Sequence, residues 1–194
     1  MPKTFAVAAN HFQFNRSNLV EKRMVVSQQD CPARRVPSGQ PTIIPAGSFL
    51  SINQALGGNY TLTLNGNMVR VDGTDAGLIG LESEEISFAD SGDGLVHEEQ
   101  IRQALKTIFD PELPVNLLDL GLIYGIDIED KNVVIRMTLT APTCGMGPVL
   151  ISDVEYRVAK VPNVESVKVH LMFDPPWHKD MMTEEAQLET GLFF

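Results

Sequence analysis

The sequence predicts a small β-rich domain followed by a mixed α/β domain, an α+β architecture overall, and three observations support this prediction. In the first half, short β-rich runs such as NYTLTLNG and NMVRVDG are separated by Gly and Asn. In the second half, helical stripes and strand-like runs alternate in the order α-β-β-α-β-α, which favours a small mixed sheet packed by helices. An acidic stretch separates the two patterns. We therefore expect a β-rich domain at 24–81, an acidic linker at 82–96 and an α/β domain at 97–194.

Length and charge exclude several classes of protein. The chain has 194 residues, 25 of them acidic and 15 basic, which gives a formal net charge of −10. Nucleic acids and anionic membranes attract proteins through Lys and Arg, so this charge argues against both as partners. No apolar run approaches the roughly 20 residues of a membrane span. With only two cysteines, we expect a cytoplasmic protein whose thiols are reduced.

Strand signals dominate the predicted β-rich domain. Leu62 and Leu64 alternate with threonines, as in a half-buried strand. The dipeptide Asn65-Gly66 that follows predicts a type I′ hairpin turn, because both residues tolerate positive φ. Several short strands in so short a segment predict a small barrel or sandwich. We interpret Cys31, next to a proline, as a buried and inert thiol, and residues 1–23, which lack periodicity, as a loosely ordered extension.

The acidic linker carries acidic side chains, Gly and Ser, and neither Lys nor Arg. Like charges repel and small polar residues bury little apolar surface, so we expect a flexible tether that a Glu- or Asp-specific protease cuts first. The fragment beginning at His97 should then stay folded and keep the reactivity of Cys144. The alternative is a solvated loop within a single domain.

The α/β domain begins with an apolar stripe at residues 101–108 that recurs with helical spacing, and this helix should end before Pro111. The runs LIYGIDIED and VVIRMTLTA predict two strands joined by a turn at Lys131-Asn132. Pro148 suits the first turn of a second helix, which the strand-like run VESVKVHLMF follows. Thr183 predicts the N-cap of a last helix, and Gly191 its end.

Cys144 is the candidate functional thiol, because it lies between the second predicted strand and the second predicted helix. The unpaired N–H groups and the positive dipole end of a helix favour thiolate over thiol, which predicts a lowered pKa. Gly145 and Gly147 leave room beside the sulfur, and Thr140 and Thr143 place hydroxyls nearby. The alternative is a buried structural thiol.

A second group of polar side chains lies in the loop before the first strand of the α/β domain. It contains Asp110, Glu112, Asn116 and Asp119, and prolines punctuate it. Rigid loops that carry carboxylates often hold function, whereas Asp and Asn also stabilise turns through their own backbone. A third motif, DPPWHKDMM, presents Trp177 either as a binding surface or as ordinary packing.

Three long motifs resemble a known family: DPELPVNLLDLGLIYGIDI, RMTLTAPTCGMG and DPPWHKDMMTEEAQLETGL. They resemble the SufT branch of the MIP/PaaD-type family, whose domain has the Fe–S cluster assembly (FSCA)-like fold, and they cover about 97–192. The β-rich segment resembles an N-terminal extension of some bacterial members. By resemblance, the family's candidate site falls on these residues: Asp110, Glu112, Leu113, Thr140 and Cys144. This chain has Gly145 where many members have Pro, and Ala141 where many have Thr.

The resemblance implies an auxiliary role in iron–sulfur protein maturation, as a cluster carrier or as an adaptor toward client apo-proteins, and no enzymatic turnover. Cys144 would then contact a cluster or iron, and the cluster would be transient or shared between subunits, because clusters usually take four thiolates. The implied partners are Fe–S assembly scaffold or carrier proteins and client apo-proteins, together with a second copy of the chain. Two alternatives stay open: an accessory subunit of a multicomponent oxygenase, as in the PaaD branch, and a thiol-dependent enzyme with Cys144 as nucleophile.

Overall fold

The computed structural model describes residues 24–191, apart from positions 57, 84, 90, 111, 112 and 114. The extension expected at 1–23 lies outside the described residues. The described chain forms two sheets, one in residues 24–71 and one in residues 123–171. We call residues 24–81 the β-rich half and residues 97–191 the α/β half.

The β-rich half contains one antiparallel sheet of six strands. In chain order these are β1 Met24–Val26, β2 Cys31–Arg35, β3 Pro41–Ile44, β4 Phe49–Leu56, β5 Asn59–Leu64 and β6 Asn67–Val71. In space their order is β1-β4-β5-β6-β2-β3, and a 3₁₀ helix, Gly73–Ile79, follows β6. This corrects the expected barrel or sandwich: in the described part of this half, no second sheet is stacked on the first and no pairing joins β1 to β3. Strand number follows from local pattern, whereas pairing order depends on contacts between distant residues.

The predicted hairpin between β5 and β6 is confirmed. Asn65 has φ 48 and Gly66 has φ 80, the positive values that a type I′ turn requires. Cys31 is fully buried at 0% exposure, as expected, in an apolar cluster that includes Leu50 and Leu62. The β-rich half therefore has a hydrophobic core of its own.

The α/β half has the predicted element order. Its elements are α1 Glu98–Lys106, β7 Ile123–Glu129, β8 Asn132–Met137, α2 Gly147–Val158, β9 Ser166–Leu171 and α3 Glu184–Thr190. The sheet is mixed, as expected, because β7 pairs antiparallel with β8 and β9 pairs parallel with β8. The hairpin turn is Asp130-Lys131, one residue earlier than predicted, with Asp130 at φ 54. Asp tolerates this left-handed conformation better than most residues do.

The predicted helix ends are also confirmed. Pro148 lies in the first turn of α2, where its missing N–H costs nothing. The hydroxyl of Thr183 accepts a hydrogen bond from the Ala186 N–H at 3.2 Å and caps α3, which ends at Gly191 with φ 71. These helices cover a core formed with the sheet, in which Leu150, Val154 and Ile135 are buried.

The acidic linker has neither helix nor strand in the residues that the structure describes, but it is packed. Phe88 contacts the core of the α/β half. The side-chain amide of Gln100 donates to the Ala89 carbonyl at 2.6 Å, and that of Gln103 to the Ser87 carbonyl at 2.9 Å. Residues 87–89 are therefore anchored to the α/β half by an apolar contact and by two hydrogen bonds from side chains of α1, and the flexibility expected of the linker stays a prediction.

Two crossed ion pairs join the halves through a buried polar interface. Arg157 Nε lies 2.8 Å from Asp72 Oδ2, and these side chains are 0% and 1% exposed. Arg70 Nε lies 2.6 Å from Asp153 Oδ2, and these are 2% and 1% exposed. In these two pairs each half therefore contributes one guanidinium and one carboxylate, and the buried Arg34 of the β-rich half lies 3.7 Å from the same Asp153 carboxylate. The division into two domains stays a prediction, and this interface makes the halves electrostatically dependent on each other.

The two carboxyl groups respond differently to burial. Burial alone would raise the pKa of Asp72, but the Arg157 guanidinium and hydrogen bonds from Thr74 hold that pKa below its ordinary value. For Asp153 burial prevails and raises the pKa, although Arg70 and Arg34 act against it. A depressed carboxyl pKa adds stability above the pKa of the unfolded state, and this contribution is lost as the pH falls through the folded pKa.

We expect Asp72→Asn to destabilise the protein strongly. The asparagine would turn an N–H₂ donor toward Arg157 and leave a buried guanidinium without its counter-charge, at a cost of about 3–5 kcal/mol. The matched control is Asp127→Asn, since Asp127 Oδ2 lies 2.8 Å from Arg136 Nε in a pair that is 52% and 43% exposed. There we expect less than about 1 kcal/mol. Urea unfolding of both variants measures the difference, and equal losses would contradict a structural role for the buried pair.

Candidate functional site

The three motif segments meet at one end of the mixed sheet. Strands β8 and β9 are parallel, so their carboxyl ends lie side by side, with Met137 next to Leu171. Strand β7 runs the other way, and its first residue, Ile123, lies opposite Met137. The loop that enters β7 and the loops that leave β8 and β9 therefore arise from the same edge. We call this the site edge.

Hydrogen bonds connect the loops at the site edge. The N–H of Thr138 donates to the Leu122 carbonyl at 2.9 Å, which joins the loop after β8 to the loop before β7. The indole N–H of Trp177 donates to the Leu120 carbonyl at 2.8 Å. The hydroxyl of Tyr124 donates to the Pro175 carbonyl at 2.8 Å. The DPPWHKDMM motif is thus bound to the loop before β7, and Trp177 has a packing role with a satisfied N–H.

Cys144 lies in the loop after β8 and is half-buried against the core of the α/β half. Its N–H donates to the Ala141 carbonyl, and its carbonyl accepts from the Gly147 N–H, each at 3.1 Å. Helix α2 begins at Gly147 with no side-chain cap, three positions after the cysteine. A Cβ at Gly145 would meet nothing within 4 Å, whereas one at Gly147 would lie 2.8 Å from Leu139 Cδ1. Gly147 therefore leaves room for the Leu139 side chain beside the start of α2.

The other predicted site residues are placed as follows. Asp110 is buried, and its Oδ1 accepts the N–H of Leu113 at 3.0 Å, so this carboxyl group stabilises its own loop. Leu113 is half-buried against the core of the α/β half. Glu112 lies outside the described residues. Thr140 is half-buried and Thr143 is exposed, both in the loop that contains Cys144.

Two residues of the loop before β7 act in turn formation. The Asn116 amide donates to Asp119 Oδ2 at 2.6 Å, and its Oδ1 accepts the N–H groups of Leu118 and Asp119 at 3.1 and 3.0 Å. This is the turn chemistry that the sequence left open as the alternative for this loop.

Comparison with known proteins identifies the family. A sequence profile described as "Iron-sulfur cluster assembly protein" matches residues 98–171. A Porphyromonas gingivalis protein named "Fe-S protein maturation auxiliary factor" is 52% identical over 95 residues, which are 48% of this chain and 90% of that relative. The chain belongs to this iron–sulfur cluster assembly family.

Two further proteins are similar to this chain. The "Fe-S protein maturation auxiliary factor SufT" of Staphylococcus aureus is 37% identical over 86 residues, 44% of this chain and 98% of the relative. A solved domain of unknown function, DUF59, from Bacillus anthracis is 34% identical to this chain, with a TM-score of 0.47. The match spans 49% of this chain and 92% of the Bacillus anthracis chain. The matched half of this chain thus corresponds to nearly the whole of the Staphylococcus aureus relative.

The two cysteines of this family member lie in opposite environments. Cys31 is 0% exposed, and burial together with the charge of Asp75 raises the pKa of its thiol to about 11. Cys144 is half-buried at the site edge. Within the described ranges, no group of three or more His, Cys, Asp or Glu side chains could hold a metal ion. None of the helices that the structure describes is long and apolar enough to cross a bilayer.

Sequence reasoning missed Gly121 as part of the site edge. This residue has φ +69, and a Cβ there would overlap the carbonyl group of Met181 in the DPPWHKDMM segment. The sequence did contain an indication of this contact, namely a glycine just before an apolar strand. Glycine at such a position often marks a close approach of two backbones. Gly121 lets the third motif pack directly on the loop before β7.

We expect iodoacetamide to modify Cys144 much faster than Cys31 in the folded protein. The reagent reacts with accessible thiolate, and Cys31 is both sealed from solvent and held as a thiol by its raised pKa of about 11. Mass spectrometry of peptides alkylated over a pH series measures the two rates. Labelling in urea is the control, in which the rates should converge, and equal rates in the native state would contradict the assignment.

Proposed function

We propose that this protein is an auxiliary factor of iron–sulfur protein maturation that uses Cys144 to contact a cluster, iron or the cluster of a client. The observation that carries the proposal is a half-buried thiol at the sheet edge where all three motif loops converge. Asp110, Glu112 and Thr140 then shape and polarise the surroundings of that thiol. Leu113 and Thr143 belong to the same candidate site. The relatives named as maturation auxiliary factors support this role over an oxygenase subunit or a thiol-dependent enzyme.

In this role the cluster is cargo, and the supply of thiols limits how one chain could carry it. The sequence has two cysteines, and Cys31 is fully buried in the other half of the chain. A single accessible thiolate is too few for a cluster that usually takes four. The remaining ligands would come from a second copy of the chain, from a client or scaffold protein, or from a small thiol. This arrangement suits transfer, because a weakly held cluster leaves easily.

The partners we propose are Fe–S assembly scaffold or carrier proteins and client apo-proteins in the cytoplasm. The net charge of −10 favours docking to basic faces of such proteins, since complementary potentials speed association and orient the encounter. The absence of turnover is part of the proposal: the thiol binds and hands over cargo, and no substrate is converted.

We expect anaerobic reconstitution with iron and sulfide to give a cluster that depends on Cys144. Any cluster should require a dimer or an added thiol, and it should be lost in Cys144→Ser. The matched control is Cys31→Ala, which removes the buried sulfur and should keep the cluster. Visible absorbance together with size-exclusion chromatography measures cluster content and oligomeric state. A stable cluster on monomeric Cys144→Ser would refute the proposal.

A further inference from the structure

Helix α2, which follows the Cys144 loop, is contacted at its first turn by the β-rich half. Gly39 lies between β2 and β3 with φ +70, and a Cβ at this position would overlap the carbonyl group of Pro148. Pro148 is four positions after Cys144. The backbone of the β-rich half thus fixes where α2 begins, and it can do so only because residue 39 has no side chain.

The last turn of α2 is held by Arg157, which reaches three separate segments of the chain. Its Nε donates to Asp72 Oδ2 at 2.8 Å and its Nη2 to Asn59 Oδ1 at 3.1 Å, both in the β-rich half. Its Nη1 donates to Thr107 Oγ1 at 2.6 Å. Thr107 directly follows α1 and begins the loop that contains Asp110. One guanidinium on α2 therefore ties the β-rich half to the start of a motif loop.

Residues of the β-rich half also bind the middle of α2, on the same face of the helix as Arg157. Arg34 Nε donates to Ser152 Oγ at 2.6 Å, and the Tyr156 hydroxyl donates to Asp75 Oδ2 at 2.6 Å. Together with Asp153 and Arg157, these residues recur at the spacing of one helical face. The β-rich half therefore contacts α2 at its first, middle and last turns, and the contacts of the middle and last turns are hydrogen bonds and ion pairs.

We propose that the β-rich half positions Cys144 by clamping α2, at its first turn through Gly39 and at its last turn through the Asp72–Arg157 pair. The inference rests on the proposed function in taking Cys144 as the contact residue. It replaces the expectation from sequence that the α/β half alone would keep the reactivity of Cys144. The clamp holds Cys144 in its half-buried state, and loosening the clamp exposes this side chain further.

Two matched glycine variants test the clamp in the full-length chain. Gly39→Ala introduces a methyl group that pushes on the carbonyl group of Pro148. Gly47→Ala imposes a similar backbone cost, at φ +78 in the same half, but its Cβ would meet nothing within 4 Å. In Gly39→Ala, we expect alkylation of Cys144 and amide exchange over residues 138–150 to quicken by about threefold or more, as for easier local opening. In Gly47→Ala both should match the wild type.

A functional readout follows from the same pair. In cluster reconstitution, Gly39→Ala should hold less cluster per chain than Gly47→Ala, as measured by visible absorbance. If Gly39→Ala does not fold, Ser152→Ala decides the question, because it removes only the acceptor of the Arg34 bond and favours the helix. It should also quicken alkylation of Cys144.

Equal alkylation and exchange in the folded variant and its control would overturn the clamp. That result would leave the proposed function standing, because neither measurement involves a cluster. Conversely, quickened alkylation without any cluster binding in the wild type would support the clamp and count against the proposed function.

Discussion

The crossed ion pairs between the halves, Arg157 with Asp72 and Arg70 with Asp153, are the interaction on which the rest of the structure depends. Removing a charge from water costs several kcal/mol, and the compensation for each of these charges lies on the other half. Each half has its own apolar cluster, so hydrophobic burial alone would allow the halves to separate. What the ion pairs specify is the position of α2 on the β-rich half, because a shifted arrangement would leave a buried charge without its partner.

Much of the α/β half could be predicted from sequence because its signals are local. Periodicity places the helices and strands, and Pro148, Thr183 and Gly191 mark helix ends through backbone chemistry that needs no distant partner. The hairpin at Asn65-Gly66 was predictable for the same reason. The order of the six strands in the other sheet was not, because it depends on which distant strands pair.

The buried interface between the two halves could not be predicted from the sequence. In the sequence, Asp153 and Arg157 are ordinary polar residues of an amphipathic helix, whose charged face normally lies in solvent. These side chains are buried only because the β-rich half covers that face of the helix.

Only part of the candidate site could be predicted from the sequence, for a related reason. Local pattern placed Cys144 before a helix, whereas the joining of the three loops required the parallel pairing of β8 with β9.

During synthesis on the ribosome, the two sides of the interface between the halves are made one after the other. The β-rich half emerges first, since N-terminal domains generally fold as they leave the ribosome. At that stage Arg70 and Asp72 have no ion-pair partner from α2, because Asp153 and Arg157 lie 83 and 85 residues further along the chain. Until α2 is made, that charged face stays hydrated and is available to other polypeptides. The nascent protein therefore passes through a stage with an exposed charged surface that the finished protein hides.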